Sequence, residues 1–540
     1  MLYSSSDLFV VSFKKAFCVG ITYCDLQEIF QFSAFCRETY VIRSAPHARV
    51  WRFLVWLCID ACGSCRERKQ KMMKTDILIV GSGCAALYFA LQIPKDKKVL
   101  LITKADFESS DSFLAQGGIC MLRDESDYQS YYEDTMRAGH NENDPVSVDI
   151  MIRSSQDVIR DLIACGVRFA KDENGALAFT REGAHSNKRI LFHEDITGKE
   201  ITSHLLEAVK RLPNVTLMEY TSMLDIVTDS VSDAETAGGK SQTLQSGFSS
   251  RRQVCRGAVL RFRDGSLGTV QADYTVLATG GIGGLFRHST NFRQLTGDAV
   301  AVALKHGVET EHVNYIQVHP TTFYSGQEED RSFLISESVR GEGAKLYGKD
   351  MKRFTNELLP RDLLTIEILK QMKKDGTKFV WEDLRTIPHE ELIRHFPNII
   401  RHCAENGYDV TKECIPVVPA QHYFMGGVKV NHESRTSMPR LYAVGECACN
   451  GVHGRNRLAS NSLLEALVFA KRAAVDMLEN YQAEELPMPL PDLSGYIDAD
   501  ALEKDYAAMI RNEIEAEGGP SSTRIAYRSK FTEEGAAQAV

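Results

Sequence analysis

Short runs of β-branched apolar residues alternate with glycine-rich turns and amphipathic stretches along most of the chain. Residues 76–80 form the first apolar run and predict a buried strand, which the glycine-containing turn 81–86 follows directly. An apolar stretch at 87–91 predicts a helix, and the run VLLI at 99–102 predicts a second strand. This succession predicts a βαβ unit at the start of a nucleotide-binding fold.

The same alternation returns later in the chain. Residues 274–278 predict a strand that runs into the glycine-rich segment 279–284, and residues 441–446 again join an apolar strand to a glycine. Because these patterns frame a mixed block at 313–423, we expect one nucleotide-binding domain that a second domain interrupts. Further helices are predicted over residues 145–166, 200–212 and 463–479, with one or two more in the tail from about 490.

Composition narrows the classes of protein that fit. The chain has 540 residues, too many for one ordinary core, and its 44% hydrophobic and 25% charged residues are typical of a globular protein. A net charge of -9 argues against nucleic acid or an anionic membrane as the main partner. Six of the 14 cysteines fall in the first 65 residues, and no disulfide framework is visible. We therefore expect a reducing, cytoplasmic compartment.

Residues 1–72 do not share the pattern of the rest. Their apolar patches fall short of the ~18 residues that a membrane-spanning helix needs, and no cleavage site of a secretory signal follows them. A transit peptide stays open. Cys58, Cys62 and Cys65 have a spacing that resembles iron–sulfur motifs, but we favour a chance cluster and predict no metal site. Met72 stands close before the first strand, so our hypothesis is that the native protein starts there.

The turn at 81–86 has the pattern G-x-G-x-x-A between a strand and a helix, which predicts a phosphate site. Glycines let the backbone approach a pyrophosphate, and the helix N-terminus offers free N–H groups and partial positive charge. The acidic residue that usually binds the adenosine ribose is missing, because Thr103 and Lys104 stand at the end of the second strand. This departure disfavours an ordinary NAD site.

The segment at 112–118 adds a second glycine-rich constellation, suited to backbone contact with a flat ring system. From here the chain resembles the flavoprotein family of succinate dehydrogenase, fumarate reductase and L-aspartate oxidase. The resemblance covers roughly residues 74–479, and the order and spacing of its motifs are specific. The matching motifs lie at 81–86, 115–118, 180–186 with His193 and 197–198, 296–298, 319–321, 360–362, 422–423, 445–446 and 457–463.

The resemblance implies an α/β fold in which an α+β capping domain interrupts a Rossmann-like FAD-binding domain, followed by a partial C-terminal helical region. We expect an extension at 1–72, the FAD-binding domain at 73–312 and 424–488, the capping domain at 313–423 and the C-terminal region at 489–540. Residues 229–256 are polar and read as a flexible insertion. The family's C-terminal helical bundle looks incomplete here, so the chain is expected to be truncated or disrupted near its end.

FAD is the cofactor that the resemblance implies. Membrane-bound members carry a histidine five residues before Gln116 and bond it to the flavin, whereas this sequence has Asp111 there. An aspartate cannot make that link, so we expect FAD to be held non-covalently. The expected FAD contacts are Gly81, Ser82, Gly83, Cys84, Ala85, Lys104, Asp111, Ser112, Phe113, Leu114, Ala115, Gln116, Gly117, Gly118, Asp298, Glu446, Ser462 and Leu463.

The substrate of such an enzyme is a dicarboxylate, which needs cations or strong donors at both ends. His319, His422 and Arg457 match the family's carboxylate binders. Taken singly, the histidines could be a turn residue and a core residue, and the arginine an exposed loop charge. The matching motifs favour the substrate site for all three.

Arg361 matches the family's proton-transferring arginine. Free arginine is a poor acid or base because its pKa is above ~12, so a buried site and a neighbouring carboxylate have to hold it for transfer. Asp362 is one candidate for that carboxylate and is equally well explained as a charge at a helix N-terminus. In aspartate oxidation Arg361 is expected to act as base, as orienting charge, or as both.

Glu182 is the discriminating residue. Succinate and fumarate enzymes of the family carry a neutral amide at this position, whereas L-aspartate oxidases carry an acid, and a carboxylate is the natural partner for the ammonium of L-aspartate. The alternative is a surface glutamate beside Arg181.

The sequence therefore predicts FAD-dependent oxidation of L-aspartate to iminoaspartate. Oxygen or fumarate would accept the electrons, and the imine would pass to quinolinate synthase in NAD biosynthesis. A soluble fumarate reductase or succinate dehydrogenase-type flavoprotein is the first alternative, which Glu182 opposes. A flavin-containing nucleic-acid-binding protein is the second, which the acidic balance opposes. We expect neither nucleic acid nor a membrane as a partner.

Overall fold

A computed structural model describes residues 71–231, 252–326, 331–484 and 486–519. The predictions for Cys58, Cys62 and Cys65, for most of the polar insertion and for the last 21 residues lie outside this part of the chain. Strands are β1 (Lys71–Val80), β2 (Val99–Ile102), β3 (Ile119–Cys120), β4 (Ile190–Leu191), β5 (Val215–Met218), β6 (Ser222–Val231), β7 (Arg252–Arg261), β8 (Leu267–Leu277), β9 (Thr310–Glu311), β10 (Ile316–Phe323), β11 (Lys345–Tyr347), β12 (Val380–Asp383), β13 (Ile415–Phe424), β14 (Gly427–Lys429), β15 (Leu441–Ala443) and β16 (Ala448–Cys449). Helices are α1 (Cys84–Gln92), α2 (Asp111–Leu114), α3 (Glu125–Ala138), α4 (Pro145–Ala164), α5 (Thr197–Lys210), α6 (Asp298–His306), α7 (Glu337–Gly341), α8 (Arg361–Asp375), α9 (His389–His395), α10 (Pro397–Glu405), α11 (Asn461–Glu479) and α12 (Ala499–Ala516).

The first layer is a seven-stranded sheet. Six strands follow the order β5-β2-β1-β8-β7-β6, and the seventh, β15, pairs with β8. Strands β5, β2, β1, β8 and β15 run parallel, whereas β7 pairs antiparallel with β6 and β8. The predicted βαβ unit is confirmed, since β1 pairs with β2 and α1 connects them. The parallel part brings the carboxyl ends of β1, β2 and β8 to one edge, where nucleotides bind in such sheets.

Strand β1 starts earlier than its hydrophobic pattern predicts. The apolar pattern begins at about 76, but the mixed residues from Lys71 to Thr75, which include Met72 and Met73, pair with Gly268–Ala272 of β8. Pairing with a long neighbour extends this strand beyond its buried part. Strand β2 and helix α11 agree with prediction to within two residues.

The second layer is a four-stranded antiparallel sheet in the order β10-β13-β12-β11, with helices α7 to α10 around it. Its strands come from residues 316–424, inside the block that interrupts the nucleotide-binding pattern. This layer has a core of its own, and the expected α/β fold with FAD-binding and capping domains is confirmed. Its buried side chains include Phe323, Val339, Leu346, Leu364, Ile368, Val380, Ile399 and Val417.

Helix α12 follows the short 3-10 turn Ser494–Tyr496 and supplies the predicted tail helix. It packs Tyr506, Ile510 and Ile514 into the second core of the nucleotide-binding layer. In the described ranges, no helix is both long and apolar enough to cross a membrane.

A buried ion cluster fixes the loop that carries Glu182. Arg189 is fully buried and donates hydrogen bonds to Asp127 and Asp134 of α3, with Nη1–Oδ2 of Asp134 at 2.7 Å. His185 accepts a further bond from Arg189 through Nδ1 at 3.0 Å. The loop therefore depends on one guanidinium that neutralises two carboxylates inside the protein.

Replacing Arg189 with leucine should strongly destabilise the fold. The change leaves Asp127 and Asp134 buried without their cation, which costs on the order of 3–5 kcal/mol. Arg137→Leu is the matched control, because Arg137 pairs with the same Asp134 but is half exposed; exposed pairs contribute about 0–1 kcal/mol. Denaturant unfolding of both variants measures the difference, and equal losses would contradict the central role of Arg189.

Candidate active site

A cavity of about 520 Å³ lies where the carboxyl edge of the main sheet meets the capping layer. Side chains and backbone from both layers line it. All residues predicted for the cofactor and substrate sites line this one cavity, although they come from positions 81 to 463 of the chain.

The phosphate turn has the backbone that its sequence requires. Gly81 has a φ of +125°, and a Cβ there would lie 2.0 Å from the carbonyl oxygen of Ala278 at the end of β8. Gly83 precedes α1 and has no side chain to cap this helix N-terminus, where the N–H of Cys84 donates to Ser112 Oγ at 3.2 Å. The turn therefore offers a close backbone approach and a helix end suited to an anion.

Lys104 stands at the end of β2, where an acid was missing from the sequence pattern. Its Nζ donates to Thr296 Oγ1 at 3.0 Å and pairs with Asp298 at 3.4 Å and with Glu503 at 3.2 Å. Burial works to lower the pKa of Lys104, but Asp298 and Glu503 outweigh it and raise the pKa. Sequence reasoning missed Glu503, which reaches this end of the cavity from α12.

Asp111 has one partner within the chain and one free oxygen. Its Oδ1 accepts a bond from the Phe292 N–H at 3.1 Å, while Oδ2 is buried without a hydrogen-bond partner. Burial raises the pKa of Asp111 to about 7. Burial and the nearby Asp111 charge raise the pKa of Glu446 to about 8. The Oε1 atom of Gln116 is likewise buried and unpartnered, so this wall of the cavity suits a large polar cofactor.

Arg361 begins helix α8 and is held on two sides. Its Nε donates to Oε2 of Glu337 at 2.6 Å and its Nη1 to Oε1 of Gln317 at 2.7 Å. Burial opposes ionisation of Glu337, but Arg361 and Arg340 lower the pKa of Glu337 below its usual value. Arg361 is therefore buried and paired with a carboxylate, the two conditions that proton transfer by an arginine was expected to need.

Glu337 is the carboxylate that pairs with Arg361. Our interpretation of Asp362 as that carboxylate is therefore wrong. Oδ2 of Asp362 lies 2.9 Å from Nε2 of His140, and the residue occupies the first turn of α8. Asp362 faces away from the guanidinium because consecutive residues of a helix point in different directions. The alternative interpretation, that Asp362 is a charge at a helix N-terminus, agrees with its position in the first turn of α8.

His319 and His422 lie side by side, with ring centroids 5.1 Å apart. Nδ1 of His319 accepts a bond from the Thr321 N–H at 3.2 Å and lies 2.9 Å from the Thr321 carbonyl oxygen, and its buried Nε2 has no partner. Nδ1 of His422 lies 2.7 Å from Thr290 Oγ1. Burial and the charge of Arg361 hold the pKa of both histidines well below the usual value. The lowered pKa favours the neutral form of both rings, and where Nδ1 accepts its hydrogen bond the Nε2–H can donate to a carboxylate.

Arg457 supplies a second buried cation. Its Nη1 donates to Ser462 Oγ at 3.2 Å, its guanidinium lies 4.5 Å from the centre of the Tyr423 ring, and its Nε has no partner. Burial and Arg361 lower the pKa of Arg457 to about 10, so it stays charged near neutral pH. It is buried, so the alternative of an exposed loop charge is wrong.

Glu182 is also buried, with 3% of its surface exposed, and is not the surface residue of our alternative interpretation. Its Oε1 accepts a bond from Ser338 Oγ at 2.7 Å and its Oε2 from Ser460 Oγ at 2.6 Å. Burial and the charge of Glu337 raise the pKa of Glu182 above its usual value, although both serines and Arg361 act to lower it. The cavity thus contains an acid that no hydrogen-bonded cation neutralises.

The comparisons with known proteins agree with this geometry. A family model described as an FAD binding domain matches residues 76–463. An L-aspartate oxidase of Clostridium perfringens is 47% identical over 402 residues, covering 74% of this chain and 86% of that protein. The L-aspartate oxidase of Clostridium acetobutylicum is 43% identical, covering 74% and 87%.

The chain belongs to the L-aspartate oxidase family. Two solved structures have a fold similar to that of this L-aspartate oxidase family member. A mutant FrdA of E. coli quinol fumarate reductase has a TM-score of 0.68 at 27% identity, covering 82% of this chain and 75% of that one. Sdh1 of Mycobacterium smegmatis has a TM-score of 0.63 at 28% identity, covering 80% and 72%.

FAD is the cofactor of this L-aspartate oxidase family member, and it is bound non-covalently. The glycine turn, the helix N-terminus that follows Gly83 and the unpartnered buried atoms of Asp111 and Gln116 fit such a group. Which individual residues contact FAD and substrate stays a prediction.

FAD should leave the protein on acid precipitation. We expect this because Asp111 stands at the position concerned, and a carboxylate there cannot form the histidine–flavin bond of the membrane-bound relatives. Absorbance and fluorescence of the supernatant and of the pellet measure the partition. Yellow colour and flavin fluorescence that stay with the denatured chain would show a covalent link and contradict the prediction.

Proposed function

We propose that the protein oxidises L-aspartate to iminoaspartate, with oxygen or fumarate as the electron acceptor. FAD, when bound, supplies the hydride acceptor. The observation that carries the proposal is the buried Glu182 carboxylate, which lies in the same cavity as two buried arginines and two histidines whose pKa burial lowers. A dicarboxylate with an ammonium group matches this combination of charges.

The carboxylate groups of the substrate are assigned to Arg457, His319 and His422. Arg457 offers charge and an unpartnered Nε, and His319 an unpartnered Nε2. Arg361 is assigned to proton transfer or to orienting charge, because Glu337 and Gln317 hold its guanidinium in a fixed position. Removal of a proton from the amine, and orientation of the C2–H bond, are the tasks of these side chains.

Fumarate reduction is the second activity that the same cavity supports. It needs the two arginines and the histidines but no partner for an ammonium group. The similarity to fumarate reductase flavoproteins favours this activity, and Glu182 weighs against it as the principal one.

The setting of the reaction is part of the proposal. Iminoaspartate would pass to quinolinate synthase, towards NAD. A reducing, cytoplasmic compartment is supported by the eight cysteines of the described residues, all of which are free thiols.

Arg361→Leu should leave FAD bound and lower turnover with both L-aspartate and fumarate by more than about 100-fold, the scale of general acid–base catalysis. The guanidinium is lost, whereas the phosphate turn at 81–86 lies elsewhere in the cavity. Flavin absorbance per protein and steady-state kinetics give the two readouts. Arg455→Leu is the control, because this arginine is half exposed and pairs with Glu142. Activity of Arg361→Leu within a few-fold of the parent would move the proton-transfer role elsewhere.

Glu182→Gln should separate the two dicarboxylate activities. The amide keeps the shape and removes the charge, and a charge-assisted hydrogen bond contributes roughly 1.5–3 kcal/mol, so kcat/KM for L-aspartate should fall about 10- to 100-fold. Fumarate has no ammonium to lose, so its reduction should change much less or improve. Steady-state kinetics with both substrates at equal flavin content measure the effect.

Two outcomes would contradict the role of Glu182. Equal losses for L-aspartate and fumarate would mean that the residue supports the site in general. No loss for either would mean that the carboxylate does not meet the substrate, and the main argument for L-aspartate over succinate would fall.

A further inference from the structure

Two serine hydroxyls hold Glu182, and we call Ser338 and Ser460 the hydroxyl clamp. Each donates one hydrogen bond to a different carboxylate oxygen, at 2.7 Å from Ser338 and 2.6 Å from Ser460. All three side chains are at least nine-tenths buried. With both donors spent on Glu182, each carboxylate oxygen still has a lone pair to offer to a ligand.

The clamp joins the two layers of the protein across the cavity. Ser338 lies in α7 of the capping layer, and Ser460 immediately precedes α11 of the FAD-binding layer. Glu182 therefore receives both of its hydrogen bonds only when the capping layer is seated against the FAD-binding layer. The contact between the layers that encloses the substrate therefore also positions Glu182, the proposed partner of the substrate's ammonium group.

The charges around Glu182 explain why it needs such donors. Glu337 of α7 repels its carboxylate, whereas Arg361 of α8 and Arg340 of α7 attract it. One of these cations, Arg361, is already bonded to Glu337. Burial and Glu337 raise the pKa of Glu182, and the two hydroxyls lower it. Neutral donors thus stabilise the charge without cancelling it, as a salt bridge would.

We propose that Ser338 is a specificity-determining residue, which with Ser460 keeps Glu182 ionised and oriented so that the site prefers dicarboxylates that carry an ammonium group. The inference rests on the proposed role of Glu182. Ser338 acts through Glu182 and is a positioning residue, so its effect appears in substrate preference and in pH dependence.

Ser338→Ala is the better test of the two possible clamp variants. Ser460 Oγ also accepts a bond from the Gly118 N–H at 3.2 Å, so its removal would disturb the cofactor wall. The backbone N–H of Ser338 donates to Ser336 Oγ, and alanine keeps that bond. Ser338→Thr is the matched control, because it keeps a hydroxyl at the same position.

The experiment compares kcat/KM for L-aspartate with kcat/KM for reduced-dye-driven fumarate reduction. In Ser338→Ala the ratio of the two should fall about 3- to 10-fold, the scale of one lost hydrogen bond to a charged group. The acid limb of the L-aspartate profile should move to higher pH, because a carboxylate that loses a donor needs a higher pH to ionise. Ser338→Thr should restore both values, and flavin content should match the parent.

The same change made in the Glu182→Gln background separates the possible outcomes. There the ratio should no longer respond to Ser338→Ala, because no charge remains to be stabilised. An equal response in both backgrounds, or an unmoved acid limb, would overturn the role of Ser338 while the role of Glu182 stands. A ratio that Glu182→Gln itself leaves unchanged would instead overturn the proposed function, and the inference with it.

Discussion

Burial of the Arg361 guanidinium is the constraint on which the rest of the site depends. An arginine cut off from water costs several kcal/mol unless a carboxylate and further acceptors satisfy it. Glu337 and Gln317 supply these at 2.6 Å and 2.7 Å. Because Glu337 neutralises Arg361, the proposed role of meeting a dianion with net positive charge falls to Arg457. Burial and the charge of Arg361 lower the pKa of both neighbouring histidines, which favours their neutral, hydrogen-bonding form over the cation.

The topology explains how residues so far apart in sequence meet in one cavity. Parallel strands β1, β2 and β8 end at the same edge of the main sheet, and the phosphate turn and Lys104 follow directly from two of them. The chain then leaves this layer to build the antiparallel capping sheet and returns through β15 and α11. A cofactor at the edge of the first sheet thus has the second sheet as its cover.

The sequence predicted those parts of the fold whose cause is local. Strand β2 follows from four consecutive apolar residues, and the turn that begins at Gly81 follows from a backbone that other residues rarely adopt. The start of β1 at Lys71 was missed because its polar residues are ordered by pairing with β8. Candidate site residues in recognisable motifs all reached the cavity.

The missed residues belong to pairs that only the fold brings together. Glu337 lies 24 positions before Arg361, and Ser338 lies 156 positions after Glu182. No spacing rule joins such positions, so the adjacent Asp362 was the nearest acid that the sequence offered. For the same reason, the sequence did not show that the carboxyl groups of Asp111 and Glu446 lie close enough to affect each other's charge.

Glu182 and Glu337 show how one cavity can sort two kinds of dicarboxylate. Glu337 has its cation within the protein, whereas Glu182 has only hydroxyl donors. A substrate with an ammonium group therefore completes the charge balance of the cavity when it binds. A substrate without one leaves the Glu182 charge uncompensated close to a bound dianion, and in a buried site that repulsion is only weakly screened. If Glu182 has the role proposed for it, selectivity comes from one acid that has no hydrogen-bonded counter-ion in the folded protein.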